Sequence, residues 1–273
     1  MIGNGLLTLL AAAVWLYGLY LALTRTKSPT ARAVVAVALV GLFLGTGGIG
    51  LNLDLGGGRG YPYTRQEERR LPGIRALDLA VTNAEAIVRP GDGRLTLVYR
   101  AKSRAALARM HPRVRVEDGR LVVRDDRQPK GTVYRFELGL RAPVAARIAL
   151  TNGELKAEDR LASLDFSATN GEVRLRDYRP TGPTVLGLTN GEVEILGFAP
   201  EAPTRIDLTN GEVRIRAERP LRVRARVTNG AIRLPGATHA AAGGAEVAYG
   251  PDQAPPLSVR ILNGELDYRE VNP

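Results

Sequence analysis

The chain has 273 residues, 44% of them apolar, a net charge of +10 and no cysteine. That is enough apolar material for a sizeable core, while the missing thiol excludes disulfides, thiolate catalysis and thiolate zinc sites. Aromatic residues make up only 5%, and with no stacking platform or groove-reading helix in view, no specific nucleic-acid partner is expected.

In chain order, residues 1–53 come first as a membrane anchor. Two charge-free apolar runs cover about 5–23 and 33–53. Each approaches the length of a transmembrane helix, roughly 20 residues. Arg25, Lys27 and Arg32 lie in the loop between them. The positive-inside tendency keeps that loop in the cytoplasm and places the C-terminal part outside the cell membrane. Residues 54–72, rich in glycine and charge without apolar periodicity, then serve as a flexible tether. The glycines from Gly56 to Gly60 lack the Lys-Ser/Thr ending of a phosphate loop and act as a hinge.

From Ile74 onward, short runs of Val, Leu and Ile alternate with polar residues, the period-2 pattern of strands with one buried face. The stretch KSRAALARMH, 102–111, breaks it with a short helix or irregular excursion. An apolar-x-Asn-Gly-x-apolar-x-apolar unit then recurs. Its best copies are LTNGELKA, ATNGEVRL, LTNGEVEI, LTNGEVRI and VTNGAIRL, whose asparagines are Asn152, Asn170, Asn190, Asn210 and Asn229, nearly evenly spaced along the chain. VTNAEAIV around Asn83, VEDGRLVV around Asp118 and ILNGELDY around Asn263 stand about two steps apart from their neighbours, and GGAEVAY, 243–249, resembles a rung whose corner has drifted. The expected repeat corners are thus Asn83, Asp118, Gly119, Asn152, Gly153, Asn170, Gly171, Asn190, Gly191, Asn210, Gly211, Asn229, Gly230, Asn263 and Gly264.

A fixed period of roughly 20 residues predicts an all-β solenoid over 73–273, like a parallel β-helix. Its inward side chains would be Leu208, Val213 and Ile215 and their equivalents, its outward ones Thr209, Glu212 and Arg214. A meander of Asn-Gly hairpins would also put Leu208 opposite Val213. The recurrent Thr before and Glu after the turn favours parallel coils, because like residues then stack and Thr and Asn form hydrogen-bonded ladders. Glu154, Glu172, Glu192 and Glu212 would stack as well, an unfavourable row. Lys156, Arg174, Arg214 and Arg233 beside it can offset the repulsion, and the row raises a cation site as an alternative.

With its TNGELKA, TNGEVRL, TNGEVEI and TNGEVRI units, and SRAALARM followed by VRVEDGRLVV, the chain resembles over roughly 74–273 the bacterial putative-adhesin domain family of unknown function. The resemblance implies a β-solenoid outside the membrane with a binding or scaffolding role, and it brings no catalytic residues.

Chemistry is sparse. His111 and His239 stand apart from potential ligands, and no serine lies in a nucleophile elbow. Asp125 and Asp126, being consecutive on a strand, point to opposite faces. No enzyme activity, cofactor or metal is expected. The expected function is that of a non-enzymatic adhesive or scaffolding surface on a membrane-anchored chain. Its partners are the membrane itself and envelope polysaccharide or another envelope protein. Alternatives are a regulatory or sensing accessory of the envelope, or a β-helical scaffold on the cytoplasmic face that grows through uncapped coil ends.

Overall fold

A computed structural model describes residues 60–71 and 73–271. The chain divides into Met1–Asp54 and Leu55–Pro273, and the described residues all belong to the second unit. They form β1 (Tyr63–Arg70), β2 (Ala76–Pro90), β3 (Arg94–Ala101), α1 (Arg104–Ala108), β4 (Arg113–Glu117), β5 (Arg120–Asp125), β6 (Thr132–Leu140), β7 (Val144–Glu158) and β8 (Leu161–Arg176). There follow β9 (Thr184–Phe198), β10 (Thr204–Ala217), β11 (Arg222–Leu234), β12 (Ala237–Tyr249) and β13 (Pro256–Glu270).

Strand β7 is 15 residues long. Drawn out straight, a strand of that length would run about 50 Å. Instead it ends where it began: the Val144 N–H, at its start, donates to the Arg160 carbonyl 3.1 Å away, just past its end. Each such strand is therefore one turn of a coil, bent at its Asn-Gly. Leu164 and Thr184 close the next two turns through the carbonyls of Pro183 and Pro203. Both legs of a turn face one interior, so Ile206, Leu208, Val213 and Ile215 are all nearly inaccessible. Burying a side chain of this kind contributes about 1.5–3 kcal/mol.

Neighbouring turns run parallel and in register. Asn152 pairs with Asn170, Asn170 with Asn190 and Asn190 with Asn210, glycine beside glycine and glutamate beside glutamate. Hairpins around Asn-Gly are therefore excluded, and the backbone shows why. The corner asparagines keep negative φ, whereas a two-residue type I′ turn needs positive φ at both positions.

The expectation of a solenoid behind two transmembrane helices is corrected in two respects. First, among the described residues no helix is long and apolar enough to cross a membrane. The one helix among them, α1, is five residues long. It rises only about 7.5 Å, against a hydrocarbon core of about 30 Å. The expected spans, 5–23 and 33–53, lie outside the described residues.

Second, the turns do not simply follow one another. The sheet order is β1-β3-β6-β2-β7-β8-β9-β10-β13-β11-β12. The last strand, β13, fills a slot between β10 and β11, so Asn263 stands between Asn210 and Asn229. GGAEVAY is not a drifted rung: it lies in β12, which pairs antiparallel with β11. Nor are Asp118 and Gly119 a coil corner. Both have positive φ, 49° and 74° respectively, and they join β4 to β5 as a two-residue hairpin turn. Asp-Gly adopts such a turn readily. The rung that stacks on β2 at that end is split, with β5 pairing to its first half and β6 to its second.

Both ends of the parallel stack are thus covered by antiparallel strands in place of bare coil ends, β3 and β1 beyond β6 and β12 beyond β11. Residues 63–70, expected within a tether, are β1 itself.

Candidate functional site

Three longitudinal features arise because every turn repeats the same side chains at the same height. The first is the corner column. Each asparagine Nδ2 donates to the Oδ1 of its neighbour at 2.8–2.9 Å, running Asn229, Asn263, Asn210, Asn190, Asn170, Asn152, Asn83. Chains of aligned amides polarise one another. At the Asn83 end the column stops on Gln128, whose Oε1 accepts from the Thr82 and Asn83 N–H groups while its Nε2 donates to the Asn83 carbonyl. No repeat carries this glutamine. It comes from the loop between β5 and β6, where a corner asparagine would otherwise stand.

The glycines beside the asparagines are required twice over. Gly191, Gly211, Gly230 and Gly264 hold φ between 140° and 154°, and a Cβ on any of them would come within 1.8 Å of the neighbouring turn's glycine carbonyl. Ala84 occupies the same phase in β2. The corner contacts run toward the β2 end of the stack, where Ala84 has the Gln128 loop beyond it and no further Asn-Gly corner.

The second feature is the charged leg. The glutamate row is interleaved with cations: Lys156 bridges Glu85 and Glu154 at 3.1 and 2.9 Å, Arg174 reaches Glu154 at 2.9 Å and also contacts Glu172, Arg214 joins Glu192 and Glu212, and Arg233 holds Glu265. The carboxylates that raised a cation site are thereby committed to Lys and Arg. Among the described residues no group of three or more His, Asp or Glu could hold a metal ion. Burial, together with the charges of Glu154 and Glu192, lifts the Glu172 carboxyl above its ordinary range against the opposing pull of Arg174.

Asp267 on β13 goes the other way. Burial works to raise its pKa, but hydrogen bonds from Arg216 at 3.0 Å and Arg269 at 3.1 Å prevail and hold the carboxyl below the usual range. A depressed carboxylate contributes stability that is fully present above its unfolded pKa, about 3.9, and is lost as pH falls through the folded value. Asp267→Asn is therefore expected to cost about 1–2 kcal/mol at neutral pH. In strong acid, where Asp267 is protonated in both states, it should cost nothing. Melting temperatures of both proteins across that range check it, and an equal deficit at both ends would refute the assignment.

The third feature is an open groove of about 770 Å³ on the outside of the first legs. Thr169, Thr189, Thr209 and Thr228 form one wall, and Ser167, Gly187, Asp207, Arg260 and Arg226 the other. Between the two rows the backbone of Leu188, Leu208 and Ile261 runs beneath the groove, with their side chains turned into the core. The inserted strand β13 breaks the threonine row with Leu262, which is 46% exposed. Asp207 is held by Arg205 at 2.6 Å.

Arg260 and Arg226 stand directly opposite each other on β13 and β11, and Arg224 lies two residues from Arg226 on the same face. Asp207 and Glu246 occupy the neighbouring register positions, yet neither forms an ion pair with these arginines. The repeat pattern passes over this cluster. Its signal in the sequence is RVRARV, which sets Arg226 at the phase where other turns have Ser167, Gly187 or Asp207, while Arg224 shares its phase with Arg147 and Arg205.

The remaining sequence candidates disperse. Asp125 accepts a hydrogen bond from the Tyr134 hydroxyl and another from the Arg127 N–H at 2.9 Å. His111 lies beyond α1 and His239 on β12, neither beside the groove.

No family model matches the chain, and neither does any curated protein. Among solved structures it is similar to a putative cell adhesion protein from Clostridium sporogenes, at 13% identity over 76% of this chain and 100% of that one, with a TM-score of 0.45. It is also similar to a putative adhesin from Bacteroides fragilis, at 11% identity over 78% and 100% of the two chains and TM-score 0.43. A third, a putative adhesin from Parabacteroides distasonis, shows 9% identity over 77% and 98%, with TM-score 0.32. The names are those proteins' own, and likeness at this level carries no argument about function.

Proposed function

We propose that the β unit is a non-enzymatic binding surface, adhesive or scaffolding, working outside the cytoplasm. The observation that carries this reading is a division of labour among the repeated rows. The asparagine column and the glutamate leg are committed to one another, whereas the groove presents hydroxyls and guanidinium groups that the fold does not use. A shallow, elongated surface repeated from rung to rung suits an extended ligand laid along the stack.

The test is retention. Beads coated with the full chain are washed over immobilised bacterial envelope material and isolated envelope polysaccharides, and the bound fraction is measured alongside the release of soluble fragments. Retention without fragment release is the expected result; turnover of the polysaccharide, or no retention on any surface, would end the proposal. The extracytoplasmic setting is part of the same proposal, and cleavage of the β unit by protease added to intact cells checks it.

A further inference from the structure

We infer that the groove binds a carboxylated polysaccharide, with the anionic groups held by Arg224, Arg226 and Arg260 and the intervening neutral sugars lying along the threonine wall; this rests on the binding-surface reading above. The starting point is a contrast within one molecule. On the second legs, Arg174, Arg214 and Arg233 alternate with Glu194 and Asp267 from turn to turn, and where Arg216 and Arg269 do stand opposite each other both donate to Asp267. On the first legs, Arg226 and Arg260 face each other across adjacent strands, with backbones about 4.8 Å apart. Neither they nor Arg224 has a hydrogen bond or ion pair among the described residues. Like charges directly opposite destabilise a sheet. An arrangement that keeps three of them beside an open groove is complementary to an anion, and guanidinium forks bind carboxylates in bidentate fashion.

The rest of the groove narrows the class. Beyond Arg260 the wall turns to Asp207, then Gly187 and Ser167, and only these three and the threonines continue along it. A polymer charged on every unit would meet Asp207 one strand from Arg260 and be repelled. A glycan whose uronate is followed by neutral residues would instead offer hydroxyls to Asp207 and to Thr209, Thr189 and Thr169. The exposed Leu262 gives a sugar ring's C–H face something to lie on. No aromatic residue lines the groove, so the stacking platform that single-stranded nucleic acid needs is missing there.

The experiment measures binding of the full chain to hyaluronan oligomers, in which each uronate is followed by a neutral sugar, to the same oligomers with their carboxyls methyl-esterified, to single-stranded DNA and to anionic lipid vesicles. The expected result is at least tenfold tighter binding of the free-acid oligomer than of the ester, weakening with salt. Arg226→Gln/Arg260→Gln should lose tenfold or more at an equal or higher melting temperature, and Arg226→Lys/Arg260→Lys should recover part of it. Should the glutamine pair melt early, the acid-against-ester comparison on the unaltered protein decides alone. Equal affinity for acid and ester, indifference to the substitutions, or preference for DNA or vesicles would overturn the inference. Retention on envelope material that persists in the glutamine variant would sink this site while leaving the broader binding role standing. Loss of all retention by the unaltered protein would remove both.

Discussion

Replacing Gly211 by alanine is expected to destabilise the β unit by about 3–5 kcal/mol, a large fraction of what a domain of this kind has to lose. Two costs coincide at this residue. Its φ of +140° lies where side chains are strained, and the new Cβ would sit 1.7 Å from the Gly191 carbonyl oxygen, an atom fixed by the parallel ladder on both sides. A flexible side chain could swing away; a backbone carbonyl pinned between two turns cannot. Relief would require β9 and β10 to part at the corner, which would also lengthen the Asn210 to Asn190 hydrogen bond of 2.8 Å.

Gly187, on the same sheet, supplies the control. A Cβ there meets nothing closer than the Phe166 carbonyl oxygen at 3.9 Å, and its backbone is free of left-handed strain. Gly187→Ala should therefore be neutral, or stabilising by about 0.5 kcal/mol through the unfolded state. Urea unfolding of the two variants checks the pair, with a shifted midpoint at constant slope signifying a change in stability alone. Comparable midpoints would mean that the corner is not a close backbone approach.

That column is also the part of the fold most visible in the sequence. Asn and Gly at a constant phase, with Thr before and Glu after, favour turns that lie parallel over hairpins, and Asn152, Asn170, Asn190 and Asn210 do lie so. The second bend of each turn leaves a fainter mark. Asp159, Asp177 and Gly197 adopt left-handed φ of 38°, 49° and 63° in turn. They are a weaker echo of the same period, in a conformation that aspartate and glycine tolerate. Tyr178 and Phe198, one residue further on, stack at 5.9 Å.

Strand β1 is illegible for another reason. TRQEERR has no apolar face for a period-2 pattern to reveal, because β1 is an edge strand paired only with β3. The groove is hidden because its walls are assembled across turns: Asp207, Arg260 and Arg226 are neighbours in space and far apart along the chain. The order of the turns is hidden by the repeat itself. When every turn offers the same corner to its neighbours, phase is encoded but identity is not, so nothing in ILNGELDY announces that it stacks on LTNGEVRI.

This order leads to the second large effect, expected on ending the chain at Gly250. Were the turns stacked as they follow in sequence, that truncation would trim one end and leave the remainder folded, as terminal repeats of an array can be lost. Here it withdraws β13 from the interior. Strands β10 and β11 are joined only by Glu218 to Leu221, with β13 lying between them. Two strand spacings, about 9.6 Å, therefore separate them.

Removing β13 strips both of their parallel partner and takes out Leu257, Val259, Ile261, Leu266 and Tyr268, each 2% exposed or less. At about 2 kcal/mol per side chain this is roughly 10 kcal/mol of transfer free energy, an upper figure because unfolded chains already bury part of their apolar surface. Nothing else among the described residues can replace that contact, so β11 and β12 should detach together. The turns from β2 to β9, which meet only their own neighbours, keep their pairing.

Amide hydrogen exchange followed strand by strand separates the two outcomes. Protection is expected to vanish from Arg222–Tyr249 and to fall at β10, while β7 and β8 remain slow. Retained protection in β11 would show that it can pair with β10 directly, and that the slot between them is not built into the architecture. The inserted strand also sets Arg260 beside Arg226, so the same truncation dismantles the arginine cluster without altering a residue of β11. A fold that inserts β13 between β10 and β11 has tied the assembly of the Arg226 and Arg260 pair to the docking of that one strand.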